Sequence, residues 1–299
     1  VDAEGLNGRI ILTGSHQLRL SQAISQSLAG RTAILTLLPL SIEELGRRVD
    51  SESRESVLYK GFLPRIHDQG QEPTRAYRNY FQTYVERDLR SLLLVKDLAR
   101  FETFMRLLAG RVGQVFVASA LANEIGVSYK TVQEWVSILE ASYIILRLPP
   151  FHENFGKRLI KAPKLYFVEP GLACYLLGIE TSAQLERDPL FGNLFENMVV
   201  IEAVKSRLHR GKDPSLYFFR DNNGMEVDLV LDRRPSPLPI EIKASMTFHS
   251  DFLKNAKRFL ELTDSSSYGC LVYAGDVETT GDQIKTVNYK NVSSVISGT

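Results

Sequence analysis

Polar and apolar residues alternate over 225–231, with Glu226, Asp228 and Val230 on one side and Val227, Leu229 and Leu231 on the other. A period of two predicts a strand with one apolar face. Residues 239–244 repeat the pattern, Ile240 and Ile242 against Glu241 and Lys243, and the proline-containing stretch 232–237 between the two reads as a turn. A hairpin with its strands in phase sets Asp228, Glu241 and Lys243 on one face. Upstream, 193–208 has the period of a helix, and Glu196 lies on the same stripe as Val199, Val200 and Ala203. An acid on an apolar stripe is costly unless it is paired or bound to a metal.

The same reading along the rest of the chain begins with a short buried strand at 9–12, a break at Thr13-Gly14-Ser15, a helix over 18–28 and a strand over 32–37. Ser41-Ile42-Glu43-Glu44 opens a further helix. Strands separated by a helix predict a parallel α/β unit, and two strands leave it incomplete. Residues 49–74 are polar and read as a linker with one ordered piece at 57–66. Residues 75–109 are helical, with Tyr77, Tyr80, Phe81 and Tyr84 as a core stripe and a second helix starting at Val95-Lys96-Asp97. The charged group Glu86-Arg87-Asp88 with Arg90 reads as a solvated face or an interdomain ion pair.

A helix-turn-helix follows: 118–125, the turn Gly126-Val127-Ser128, then 129–140 with Val132, Trp135, Val136 and Leu139 inward and a wing strand at 143–148. A strand at 165–168, a short helix at 171–177, a strand at 216–220, a helix at 249–262 and a strand at 269–273 complete the pattern.

Net charge is +1 over 299 residues, so no global field draws the chain to nucleic acid or to a membrane surface. Local patches must supply any such binding. The stretch 151–164, with Lys157, Arg158, Lys161 and Lys164 beside Phe151 and Phe155, is the best candidate for phosphate contact; a charged connector is the alternative. In the second helix of the helix-turn-helix, Lys130 is the only basic residue and is balanced by Glu134 and Glu140, while Gln133 alone could address a base edge. A packing or protein-contact role is favoured there over sequence reading. Cys174 and Cys270 sit in apolar runs without metal spacing, as buried thiols of a reducing cytoplasm do, and no apolar run is long enough to span a bilayer.

The acids define candidate chemistry. Glu196, Asp228 and Glu241 offer hard oxygen ligands of the kind that Mg²⁺ or Mn²⁺ takes, and Lys243 would orient an attacking water or stabilise developing charge on a phosphodiester. The plain alternative is a surface hairpin with an ordinary cross-strand charge pattern.

Ile10-Ile11-Leu12-Thr13-Gly14-Ser15, Ser27-Leu28-Ala29-Gly30-Arg31 and Leu38-Pro39-Leu40-Ser41, followed by the Glu196, Asp228, Glu241 and Lys243 series, resemble the DUF4143-containing AAA-type ATPase family. The resemblance implies a mixed α+β chain in three parts. These are a partial P-loop-type α/β unit (1–50), a linker with a helical, winged-helix domain (51–150), and a PD-(D/E)xK restriction-endonuclease-like domain (151–299). It assigns the four named residues to active-site positions and makes Thr13 and Ser15 a sensor-like tip facing a γ-phosphate, next to His16 where family members usually carry glutamine. No G-x-x-x-x-G-K-[S/T] motif is present, so ATP binding would require a P-loop half lying before Val1. The resemblance implies a metal-dependent DNA phosphodiesterase. A non-enzymatic interaction module, contacting the ATPase segment or a second copy, and a DNA-binding regulator are the alternatives.

Overall fold

The computed structural model describes residues 33, 35–83, 97–151, 161–233, 235–263, 268–280 and 283–298. The expectations for the first strand and helix, Thr13, Ser15, His16, Tyr84, the charges at 86–90, the helix start at Val95 and Lys96, and the basic residues Lys157 and Arg158 lie outside them. Of the strand expected over 32–37, the described residues carry no strand assignment. The chain divides into two units, Val1–Thr36 and Leu37–Thr299, and the elements that follow belong to the second.

The polar stretch 49–74 is not a linker. After α1 (Ile42–Leu45), the helix expected at Ser41, the chain folds as the short helices α2 (Arg47–Asp50), α3 (Arg54–Lys60) and α4 (Pro64–Gln69). Each is too short to display a helical period. Caps and buried anchors hold them: Ser41 and Glu44 form a capping box, Ser53 caps α3, and Val49, Val57, Leu58, Phe62 and Ile66 are buried. Gly61 ends α3 at φ +60°, where a Cβ would collide with the Glu169 carboxylate and the Tyr77 hydroxyl.

Helix α5 (Pro73–Tyr80) buries Tyr77, and Phe81 is buried just beyond it, so the described part of the aromatic stripe is core. Asp97 caps α6 (Leu98–Ala109). The helix-turn-helix forms as expected from α7 (Ala118–Ile125) and α8 (Tyr129–Ala141). Gly126 takes φ +72° at the turn, and the Ser128 side chain accepts from the Thr131 N–H. Trp135 of α8 packs its ring 5.3 Å from Phe101 and 5.1 Å from Phe104 of α6.

The wing strand β1 (Ile145–Leu148) pairs antiparallel with β2 (Lys164–Phe167) in a two-stranded sheet. After β1, Phe151 N–H donates to Phe218 C=O and Phe218 N–H to Pro149 C=O, so the chain leaving the wing runs along an edge of the larger sheet. Glu169 caps α9 (Pro170–Leu176); α10 (Ser182–Glu186) and the long α11 (Phe191–Leu208) follow.

The large sheet has six strands in the order β3-β4-β5-β6-β8-β7: β3 (Leu216–Arg220), β4 (Glu226–Leu231), β5 (Leu238–Lys243), β6 (Gly269–Tyr273), β7 (Thr279–Thr280) and β8 (Ile284–Asn288). The first three run antiparallel, and β5, β6 and β8 run parallel. Helix α12 (Lys254–Leu262) links β5 to β6, and α13 (Val292–Ser297) packs on α11. Leu229, Leu231, Ile240, Ile242, Cys270 and Val272 join the main core with α11. Val230 and Phe219 meet Phe259 of α12 in a separate cluster. The architecture is mixed α+β, and α11, three strands, α12 and β6 succeed one another in the expected order.

Candidate functional site

The hairpin pairing stops short of the site. Leu229 stands opposite Ile240 and Val230 opposite Pro239; the β4–β5 pairing ends there, where β4 carries one extra residue against β3 at 228–229. Side-chain contacts nevertheless bring Asp228, Glu241 and Lys243 together beyond that point. Lys243 Nζ lies 2.9 Å from Asp228 Oδ2 and 3.0 Å from Glu241 Oε2, and the Ile242 N–H donates to the same Asp228 oxygen at 2.8 Å. Glu241 is 1% exposed, and its Oε1 is buried without a hydrogen-bond partner.

Glu196, on α11, feels the Asp228 charge but is held by other groups. Its Oε1 accepts from Lys164 Nζ at 2.9 Å and from the Tyr166 hydroxyl at 2.6 Å. Lys164 Nζ also lies 2.5 Å from Glu226 Oε1, and Arg220 Nε lies 3.4 Å from the other Glu226 oxygen. Lys164 was expected in a surface patch, yet its side chain is 2% exposed and forms part of the site. A buried ammonium is stable only where carboxylates pair it, and Glu196 and Glu226 supply that pairing.

Carboxylate charge exceeds what the amines neutralise, and ionisation shows it. Burial lifts the Glu241 carboxyl to about 8, with the Asp228 charge adding to the rise and Lys243 opposing it. Burial lifts Glu196 to about 7, against the pull of Lys164 and with Asp228 again adding. Burial acts on Asp228 too, but the charges of Lys243 and Lys164 and the bonds from Lys243 and the Ile242 N–H outweigh it and hold this acid below its ordinary value. Burial works against both ammonium groups, yet the surrounding acids push Lys164 and Lys243 above the usual lysine range. Burial raises Tyr166 as well, with Glu196 beside it, so it stands as a neutral donor.

Mg²⁺ keeps several waters and binds through one or two carboxylates. Asp228 and Glu241, both within 3.0 Å of Lys243 Nζ and with Glu241 Oε1 unpartnered, fit that demand. Among the described residues no group of three His, Cys, Asp or Glu side chains is placed to hold one ion. Glu196 is thus engaged by Lys164 and Tyr166 rather than gathered with the two strand acids.

Of the nucleic-acid candidates, Lys130, Gln133 and Lys161 lie among the described residues. Lys161 is exposed, and Lys130 is 86% exposed with Glu134 3.9 Å away. Gln133 donates to the Tyr129 hydroxyl at 2.9 Å. Sequence reasoning missed Lys164, Tyr166 and Glu226 as site residues. The signal for the first two was the period of two that puts Lys164 and Tyr166 on one face of a strand.

Three family models match in order along the chain: an AAA domain over residues 1–46, DUF8612 (a domain of unknown function) over 51–183, and DUF4143 (a domain of unknown function) over 191–292. Glu196, Glu226, Asp228, Glu241 and Lys243 fall in the DUF4143 match, and Lys164 and Tyr166 fall in the DUF8612 match. Two mycobacterial proteins, "Uncharacterized protein Mb2031c" of Mycobacterium bovis and "Uncharacterized protein Rv2008c" of Mycobacterium tuberculosis, are each 31% identical to it over 248 residues. Those residues are 83% of this chain and 55% of each relative, so the chain spans about half the length of the curated relatives it matches. With an AAA domain match at one end and DUF4143 at the other, the chain belongs to the DUF4143-containing, AAA-type ATPase-related family.

Proposed function

We propose that the DUF4143 part of this chain is a phosphodiester-directed module of an AAA-type ATPase-related protein, acting on DNA with Mg²⁺ or Mn²⁺ held by Asp228 and Glu241. The observation that carries this reading is the contact of Lys243 with both Asp228 and Glu241, which leaves one buried Glu241 oxygen unpartnered. A divalent ion there would polarise a phosphoryl oxygen and lower the pKa of an attacking water. Lys243 is 32% exposed, so its amine can reach from the acid pair toward a substrate. It would orient the nucleophile and offset the charge that develops on phosphate. ATP binding would belong to a P-loop segment outside this sequence.

A second reading, a non-catalytic interaction module with a nuclease-like core, is favoured by Lys164, which already neutralises Glu196 and Glu226. The helix-turn-helix supports packing over base reading, because Trp135 and its neighbours face inward and Lys130 stands beside an acid. No helix among the described residues is long and apolar enough to cross a membrane. Both cysteines are free and buried, which suits a reducing cytoplasm.

The test is cleavage of single-stranded, duplex and branched DNA with Mn²⁺ by the wild-type chain, Lys243→Ala and Glu241→Gln. Cleavage abolished by both substitutions is expected. No Mn²⁺ binding together with no cleavage on any substrate refutes the phosphodiester reading and leaves the interaction module.

A further inference from the structure

The site is composite. Its acids come from the DUF4143 match, but Lys164 comes from the segment before it, on β2. Lys164 is held hard in place. Glu196 and Glu226 contact Nζ at 2.9 and 2.5 Å, and the Phe218 ring centre lies 5.6 Å away. Tyr166, two residues along the same strand face, donates to the very Glu196 oxygen that Lys164 engages. The next residue of α11, Asn197, clamps β2 itself by bonding both backbone groups of Phe167. Strand β2 is thereby fixed to α11 at the turn that carries Glu196.

An oxygen that accepts from an ammonium and a hydroxyl is poorly available to a metal ion, and a doubly charged ion beside that ammonium meets repulsion that a dry site leaves little screened. We propose that Lys164 is an internal counter-ion that keeps Glu196 out of a cation-binding set with Asp228 and Glu241, so that the Lys164–Glu196 pair and three-acid coordination of a divalent cation exclude each other. The segment over 51–183 then governs the cation affinity of acids that lie in the next one. The proposal rests on the phosphodiester reading for the cation itself. Its own content is the competition, which gives Lys164 a positioning role acting through Glu196.

The experiment is isothermal titration of Mn²⁺ into the whole chain as wild type, Lys164→Met and Lys164→Arg. Binding at least about tenfold tighter in Lys164→Met is expected, because removing the ammonium adds a carboxylate to the ligand set; Lys164→Arg should stay near wild type. If the wild type binds Mn²⁺ and Lys164→Met binds no more tightly, the competition is overturned and the phosphodiester reading stands. If neither protein binds, the phosphodiester reading falls and the competition with it. Wild-type crystals soaked in MnCl₂ give a readout that needs no variant to fold. An anomalous peak held by Asp228 and Glu241 alone with the Lys164–Glu196 pair intact, or by all three acids with Lys164 moved off Glu196, supports the proposal. A peak that Glu196 also ligates while Lys164 stays on it overturns it, and no peak at saturating Mn²⁺ overturns both ideas.

Discussion

Asn197 offers the sharpest test of how the site is held. It is fully buried on α11, and its Oδ1 accepts from the Phe167 N–H at 2.6 Å while its Nδ2 donates to the Phe167 C=O at 2.9 Å. The Val168 N–H donates to Ile144 C=O, so the alternation of an antiparallel ladder turns the backbone groups of Phe167 away from β1. Asn197 therefore does for this edge of β2 what a further strand would do. Asn197→Leu keeps roughly the volume and strands both groups in an apolar setting. Each unsatisfied buried group costs about 1–3 kcal/mol, which sums to about 2–6 kcal/mol for the pair. For a chain of this size, about 2–4 °C of melting temperature accompanies each kcal/mol, so a fall of at least about 4 °C is expected. Urea denaturation measures the free energy, and amide hydrogen exchange at Phe167 locates it. A variant within about 1 kcal/mol of wild type, with the Phe167 amide still protected, refutes the claim that this side chain anchors β2.

The remaining expectations concern charge. Glu241 ionises near 4.5 in an ordinary setting and about 8 in the fold, so between these values the folded chain holds a proton that the unfolded chain lacks. Stability therefore falls as pH rises through that window, by about 1.4 kcal/mol per pH unit for one such site, and Glu241→Gln removes its share of the slope in urea melts. Glu196 adds a slope of the same sign up to about 7. Asp228, held below its ordinary value, contributes in the opposite sense, and its stabilisation is lost on acidification. Lys205→Met should cost about 3–5 kcal/mol, because it leaves a buried Glu202 carboxylate without its cation. Adding Glu202→Gln should recover much of that loss in thermal melts, and a double variant no more stable than the single one would refute the pairing argument.

The hairpin, α11 and the helix-turn-helix were legible because each is long enough to show its period and is bounded by capping or turn residues. Glu196 was legible because an acid on an apolar stripe requires a partner. Its partner was not, since Lys164 stands 32 positions earlier and read as one more charge in a basic stretch. Nothing local distinguishes a lysine that ends in water from one that a distant helix supplies with a carboxylate. The helices at 47–69 were missed for a related reason: their stability comes from a few anchors in the shared core rather than from an amphipathic pattern. Strand β8 and α13 lie beyond 269–273, the last strand that the pattern predicted.

Helix α11 explains why so many polar groups are buried in one place. Glu196 and Asn197 face β2, and one and a half turns on Glu202 and Lys205 face the segment that follows Thr36. Glu202 accepts from the Ile42 N–H at 2.7 Å and pairs with Lys205 at 2.8 Å, while Lys205 donates to Leu40 C=O at 2.7 Å and lies 4.1 Å from the Phe62 ring centre. A helix used only as a hydrophobic wall would gain nothing from four such residues, each of which is costly unless its partner is in place. Such groups discriminate between arrangements more strongly than apolar contacts do, because a shift of one ångström strands a charge or a backbone group. Any change that moves β2 or the 40–42 segment must therefore be felt along α11, and the Glu196 carboxylate lies on the same rigid element as the Glu202–Lys205 pair. Loosening that pair should disturb the Lys164–Glu196 contact as well, a coupling that a double-mutant cycle between Lys205→Met and Lys164→Met would read as non-additivity.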